Sequence, residues 1–111
     1  MKLTRESLLK AVELRTEEVE INGGTVTAKE LCAAEYLDTL EHPFSKKENG
    51  DYDGTAFNAL LVARCIVNED GSRMFADEDA DLLRNGSFSV YRKLIESVNR
   101  VNGLAGEQAK N

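Results

Sequence analysis

Apolar and polar positions alternate along this chain in three distinct rhythms, and each rhythm predicts a different element. From Thr4 to Val12 the apolar residues Leu8, Leu9 and Val12 recur on one side of a helix whose start is marked by Thr4 as N-cap. Glu18-Val19-Glu20-Ile21 then alternates with period two, the signature of a half-buried strand. Asn22-Gly23-Gly24 supplies a turn where positive φ is cheap, and Thr25-Val26-Thr27 predicts the returning strand. The hairpin would present Val19, Ile21 and Val26 to the helices. Thr27-Ala28-Lys29-Glu30 has capping-box spacing, which predicts a helix running to about Glu41, with Leu31, Ala34, Leu37, Tyr36 and Leu40 facing inward. His42-Pro43 stops it, because a residue before proline is biased away from the helical region.

The third rhythm is hardly a rhythm. Residues 43–54, PFSKKENGDYDG, form a polar, glycine-bearing surface loop, and Asp53 or Thr55 caps the next helix. Phe57–Val67 is then apolar nearly all round, broken only by Asn58 and Arg64. Such a helix is enclosed by protein on every side, and it is expected at the centre of the fold. Asp70-Gly71 makes a tight turn, Met74 and Phe75 form a short apolar plug, and Asp77-Glu78-Asp79 opens an acidic helix with Asp77 as cap. Arg84-Asn85-Gly86 would close that helix with a left-handed glycine, and Ser87 would cap the last one. That last helix, Phe88 to Val101, repeats Tyr91, Leu94, Ile95, Val98 and Val101 at amphipathic spacing before Gly103 ends it. The expected fold class is α+β: mostly helical, four to five helices packed with one β-hairpin. Residues 1–103 form a single domain, and 104–111 form a flexible C-terminal tail.

Composition narrows the function more than the fold. Fourteen bases against 20 acids give a net charge of −6, and no basic cluster exceeds Lys46-Lys47. Nucleic acid is therefore not expected as a direct partner, since neutralising phosphates takes a basic stripe. No run reaches the roughly 20 apolar residues of a membrane helix, and no signal-peptide pattern follows Met1, so no membrane partner is expected. The 2 cysteines, Cys32 and Cys65, sit among Ala, Leu and Val inside apparent helices and read as buried free thiols. Asp77, Asp79 and Asp81 mimic the first ligands of a calcium loop. Leu82 stands where its sharp-turn glycine belongs and Phe88 where its bidentate Glu belongs, so capping explains these acids without a metal. One histidine, His42, has no evident nucleophile or orienting partner, and no phosphate-cradling glycine motif is present. No catalytic residue, cofactor or metal is expected.

The order of the pieces carries a resemblance. Val67, Asn68, Glu69, Asp70, Gly71, Phe75, Asp77, Glu78 and Asp79, following a hydrophobic helix, resemble the acidic run of the tail assembly chaperones of long-tailed bacteriophages and prophages. Asn68 stands where that family usually has an acid. The resemblance extends upstream through Glu17-Glu18-Val19-Glu20-Ile21, Gly24-Thr25-Val26-Thr27 and Glu30-Leu31, and downstream to Val101-Asn102-Gly103-Leu104. It implies a chaperone of tail morphogenesis, acting in the host cytoplasm and absent from the mature virion. Such a protein binds and solubilises the tape measure protein and helps recruit tail tube protein to it. The expected partner-binding residues are Phe88, Tyr91, Leu94, Ile95, Val98 and Val101, and self-association into a homo-oligomer is left open. Two other classes are compatible with the residues: a small structural virion component (tail-completion or head–tail connector), and an acidic inhibitor or regulatory module. The family is also often made in two lengths by a backward ribosomal slip. Ala109-Lys110-Asn111 can be encoded by a slippery A-AAA-AAC or A-AAA-AAT, so a frameshifted longer form is an expectation that the gene sequence tests.

Overall fold

A computed structural model describes residues 1–104; Ala109-Lys110-Asn111 and most of the expected tail lie outside the described residues. The fold is α+β and mostly helical: the described residues form five helices and a three-stranded antiparallel sheet of order β1-β2-β3. Helix α1 (Arg5–Ala11) starts as expected at Thr4, which forms a capping box with Ser7. Strands β1 (Thr16–Ile21) and β2 (Gly24–Lys29) make the hairpin, in register Val19↔Val26 and Ile21↔Gly24. Its turn places Asn22 at φ 50 and Gly23 at φ 86, both left-handed, which matches the natural twist of a two-residue hairpin.

The expected helix start at Thr27 is corrected. Thr27, Ala28 and Lys29 belong to β2, which is paired on both edges. The Glu30 carboxylate does not reach back to a cap; it accepts the Arg15 N–H at 3.0 Å. Fully buried Ala28, held opposite Glu17 on one side and Ile66 on the other, outweighs the local capping signal. Helix α2 therefore begins only at Ala33 and runs to Glu41, with Cys32 as its half-buried N-cap rather than an interior residue. Leu31 is buried but precedes the helix. Pro43 ends α2 as expected and opens a single 3-10 turn, Pro43–Ser45. The loop after it is less open than a plain connection: Ser45 is buried and its hydroxyl donates to the Thr39 carbonyl at 2.7 Å.

Helix α3 (Gly54–Cys65) is the centre, and Asp53 caps it through its carboxylate, which accepts the N–H groups of Thr55 and Ala56. One flank, with Phe57, Leu61, Val62 and Cys65, packs into the main core beside Val19, Ala28, Leu94 and Val98. The other flank, with Ala59, Leu60 and Ala63, meets Ala80 of α4 (Asp79–Arg84). The apolar run does not stay helical to Val67. Ile66 and Val67 form β3, pairing with Ala28 and Thr27, and the Met74 N–H closes the next turn on the Ile66 carbonyl at 3.0 Å. Gly71, at φ 87, turns the chain between them.

Two further expectations are corrected here. Asp77 does not cap α4; the helix starts later, and the Asp79 carboxylate accepts the Ala76 N–H at 2.9 Å. Gly86 is not left-handed: among the described residues the positive-φ glycines are Gly23, Gly50, Gly71 and Gly103, and α4 closes through Asn85, whose N–H donates to the Asp81 carbonyl. Helix α5 (Phe88–Val101), capped by Ser87, lies across the hairpin. Glu17 of β1 fastens it there by accepting from Arg100 at 2.8 Å and from the buried Ser97 hydroxyl. After Gly103 (φ 79) the Leu104 N–H returns to the Asn99 carbonyl at 2.7 Å, so Leu104 packs against the core instead of starting a free tail.

Candidate partner-binding surfaces

The C-terminal end of α5 and the segment between β2 and α2 are locked together by a small set of polar contacts, and a groove opens beside them. Asn102 accepts the Leu31 N–H at 3.1 Å and donates to the Val98 carbonyl at 2.8 Å. Arg15 donates to the Val101 carbonyl at 2.7 Å, and the Glu30 N–H donates to the Arg15 carbonyl at 2.8 Å. These bonds fix the segment joining α1 to β1 against Glu30 and the end of α5, and a concave space of about 550 Å³ lies between that segment and α2. Leu31 and Leu104 line it, with Val12 and Leu14 on the α1 side and Tyr36 and Leu37 on the α2 side. The lining is apolar apart from Glu30, Asn102 and the Tyr36 hydroxyl.

Helix α1 stands at one wall of this groove and buries no residue at all. Leu8, Leu9 and Val12 are 52%, 50% and 65% exposed, and Leu37 across the groove, expected to face inward, is 60% exposed. Sequence spacing places Leu8, Leu9 and Val12 on one side of the helix. The structure leaves that side exposed, and of the three only Val12 lines the groove.

The partner-binding residues expected from the sequence divide into three sets. Leu94, Val98 and Val101 are buried in the main core, and their surface is spent on packing with α3 and the hairpin. Ile95 and Tyr91 are partly buried against that core. Phe88 alone among the six is largely outside, 74% exposed, and Leu82 of α4 is 73% exposed. Between α4 and α5, Leu82, Leu83, Val90, Tyr91 and Leu94 line a second, smaller concavity of about 200 Å³. An amphipathic stripe on the last helix of a small domain is claimed by the core first. Sequence spacing registers the stripe but not which of its members reach the rim.

The strongest polar cluster surrounds Arg64. Its guanidinium, largely buried, donates to both Asp77 oxygens at 2.9 and 3.1 Å, to Asp38 at 2.8 Å and to the Thr39 hydroxyl at 2.9 Å. Arg73 adds a further bond to Asp77 at 2.7 Å, and His42 Nε2 lies 3.9 Å from the same carboxylate. The hydrogen bonds from Arg64, with those from Arg73, hold the Asp77 carboxyl well below its ordinary range, against the opposing effect of burial. His42 Nδ1 accepts the Phe44 N–H at 3.0 Å. The cluster joins α2, α3 and the segment before α4, with its donors and acceptors directed at one another. Cys65 is buried, and burial pushes its thiol up to about 11, so the reactive thiolate is scarce. Among the described residues, no group of three or more His, Cys, Asp or Glu is placed to hold a metal ion. No helix among them is long and apolar enough to cross a membrane. No family model, curated protein or solved structure matches the chain.

Proposed function

We propose that this protein is an assembly chaperone that holds an aggregation-prone helical client, and that the client is the tape measure protein of a phage tail. One observation carries the reading: an open apolar groove, walled on one side by a helix that buries nothing. Apolar area left open in this way is characteristic of interaction surfaces. The groove suits an amphipathic helix, whose apolar face would rest on Leu31, Tyr36 and Leu37 while its polar face stays in water. The order of sequence motifs from Glu17 to Leu104, with the acidic run at Val67–Asp79, supplies the identity of the client. Tape measure proteins are long and helix-rich, with apolar stripes that need cover until the tail tube forms around them. An acidic chain with a net charge of −6 would add solubilising charge to such a complex. In this reading the protein works in the host cytoplasm, helps bring tail tube protein to the client, and is left out of the finished particle.

Co-expression tests it. The cognate tape measure protein should become more soluble with this chain present, and the two should co-purify. Leu37→Asp, on the exposed wall of the groove, should abolish co-purification while leaving the melting temperature within a few degrees. A client equally soluble alone, or one that still binds the Leu37→Asp variant, would overturn the reading, as would finding the chain in purified virions.

A further inference from the structure

Asparagine followed by glycine occurs four times in this chain, at Asn22, Asn49, Asn85 and Asn102. Asparagine is among the thermolabile residues, and glycine has no side chain to shield its backbone nitrogen. That nitrogen can attack the carbonyl carbon of the preceding asparagine side chain. A C–N bond forms, the side-chain nitrogen leaves as ammonia with the proton of the glycine N–H, and a five-membered succinimide results. Water then opens the ring at one of its two carbonyls. One opening gives aspartate; the other gives isoaspartate, in which the main chain runs through the side-chain Cβ. The attack needs a glycine N–H that is not donated elsewhere, a side-chain amide free to turn, and room for the two to meet.

The fold withholds these conditions at three of the four positions. The Asn102 amide is tied at both ends, its oxygen to the Leu31 N–H and its NH2 to the Val98 carbonyl, and the Gly103 N–H donates to the Arg100 carbonyl at 3.0 Å. Asn49 accepts the Asp51 N–H at 3.0 Å and donates to the Asp51 carboxylate at 3.2 Å, while Gly50 donates to the Lys47 carbonyl at 2.9 Å. The Asn85 NH2 donates to the Asp81 carbonyl at 2.8 Å, and the Gly86 N–H donates to the Leu83 carbonyl at 3.2 Å. Asn22 differs on every count. It stands exposed at the hairpin tip, and among the described residues neither its side-chain amide nor the Gly23 N–H has a hydrogen-bond partner. No atom lies within 4 Å of where a Cβ on Gly23 would sit, so the tip has room for the nitrogen to swing onto the side chain.

We propose that Asn22 is a modification site, deamidating spontaneously through a succinimide with Gly23 and with water as the sole co-reactant. The two products differ in what they do to the hairpin. Aspartate tolerates the left-handed conformation as asparagine does, so it keeps the turn. Isoaspartate lengthens the main chain by one methylene, which a two-residue turn closed by the Ile21↔Gly24 pair does not accommodate. Either product sets one more negative charge near Glu20.

Peptide mapping by mass spectrometry of the purified full chain, aged in mildly alkaline buffer at physiological temperature, reads the exchange of NH2 for OH at each of the four asparagines. Methylation by an isoaspartyl methyltransferase measures the isoaspartate share. In the native chain Asn22 should convert at least about fivefold faster than each of the other three, the factor that one intact hydrogen bond is worth. In guanidinium chloride, where the fold no longer holds any of the four, their rates should converge. Asn22→Gly keeps residues suited to the same turn and should abolish the first acidic form to appear on isoelectric focusing. A native chain in which Asn22 converts no faster than the others overturns the proposal, as does an early acidic form that survives Asn22→Gly. Unfolded rates that differ as widely as the native ones would assign the selectivity to local sequence and overturn it equally.

Discussion

Arg64 is the one charged side chain of α3, a helix otherwise buried along most of its length, and its partners come from far away in the chain. Asp38 lies 26 residues before it and Asp77 13 residues after it. Removing Asp77 takes away two of the hydrogen bonds of a largely buried guanidinium and leaves it Asp38 and Thr39, and hydrogen bonds to charged groups are worth about 1.5–3 kcal/mol each. Asp77→Ala should therefore cost about 2–3 kcal/mol in urea denaturation. Asp77→Asn discriminates between a capping role and an ion-pairing role. Asn is as good an N-cap as Asp, so a capping aspartate would tolerate the change, whereas the ion pair predicts a loss close to that of Ala. An Asp77→Asn protein as stable as wild type would refute the network. The sequence shows why Asp77 misleads: an acid before an acidic helix is a capping signal read over a few residues, while its true partner is set by packing between α3 and the segment before α4. Arg64 itself is visible as an odd polar residue in an apolar run; its partners are not.

Elements were legible where local chemistry and tertiary packing agree. The hairpin, the proline stop after α2, the Asp53 cap, the apolar α3 and the Ser87-capped α5 all follow from short-range patterns that the fold then uses. Strand β3 was hidden because Ile66 and Val67 continue the apolar run of α3 without a break, and two residues give no period to detect. Only the open edge of β2 decides that they pair. The groove was hidden for the opposite reason: Leu8, Leu9 and Val12 have core-like spacing, and spacing cannot reveal that nothing covers them. Asn102 shows how three elements meet at that groove. It accepts from Leu31 between β2 and α2, donates to Val98 within α5, and lies 3.5 Å from the Cys65 sulfur at the end of α3. Asn102→Ala leaves the Leu31 N–H without its acceptor, so a cost of about 1–3 kcal/mol is expected. The same variant should speed amide exchange at Leu31 more than at the hairpin turn; equal protection of Leu31 in both proteins would show that the asparagine is not the tie.

At the scale of the whole molecule, two carboxylates pin the outer elements to the centre, and both are tuned in the same direction. Asp77 binds the segment before α4 to α3, and Glu17 binds β1 to α5 through Arg100 and Ser97. Hydrogen bonds from Arg64 lower the Asp77 carboxyl, and hydrogen bonds from Arg100 and then Ser97 lower that of Glu17. A carboxyl whose folded value lies below its unfolded value, about 4 for Asp and Glu, contributes stability that is fully present above the unfolded value. That contribution is lost as pH falls through the folded value, because the unfolded chain takes up the proton first. Stability of the wild type should thus be level from about pH 7 to 5 with respect to these groups and decline below about pH 4. The Asp77→Asn, Glu17→Gln double variant, which cannot gain these protons, should start less stable at pH 7. Its stability should then fall less steeply with acid, so that the gap from wild type narrows from about pH 4 to about pH 2. Urea titrations at fixed ionic strength across that range measure the gap directly. A gap that holds constant across the whole acid range would mean that neither carboxylate is stabilised by its arginine, and that α4 and β1 are held to the centre by apolar packing alone.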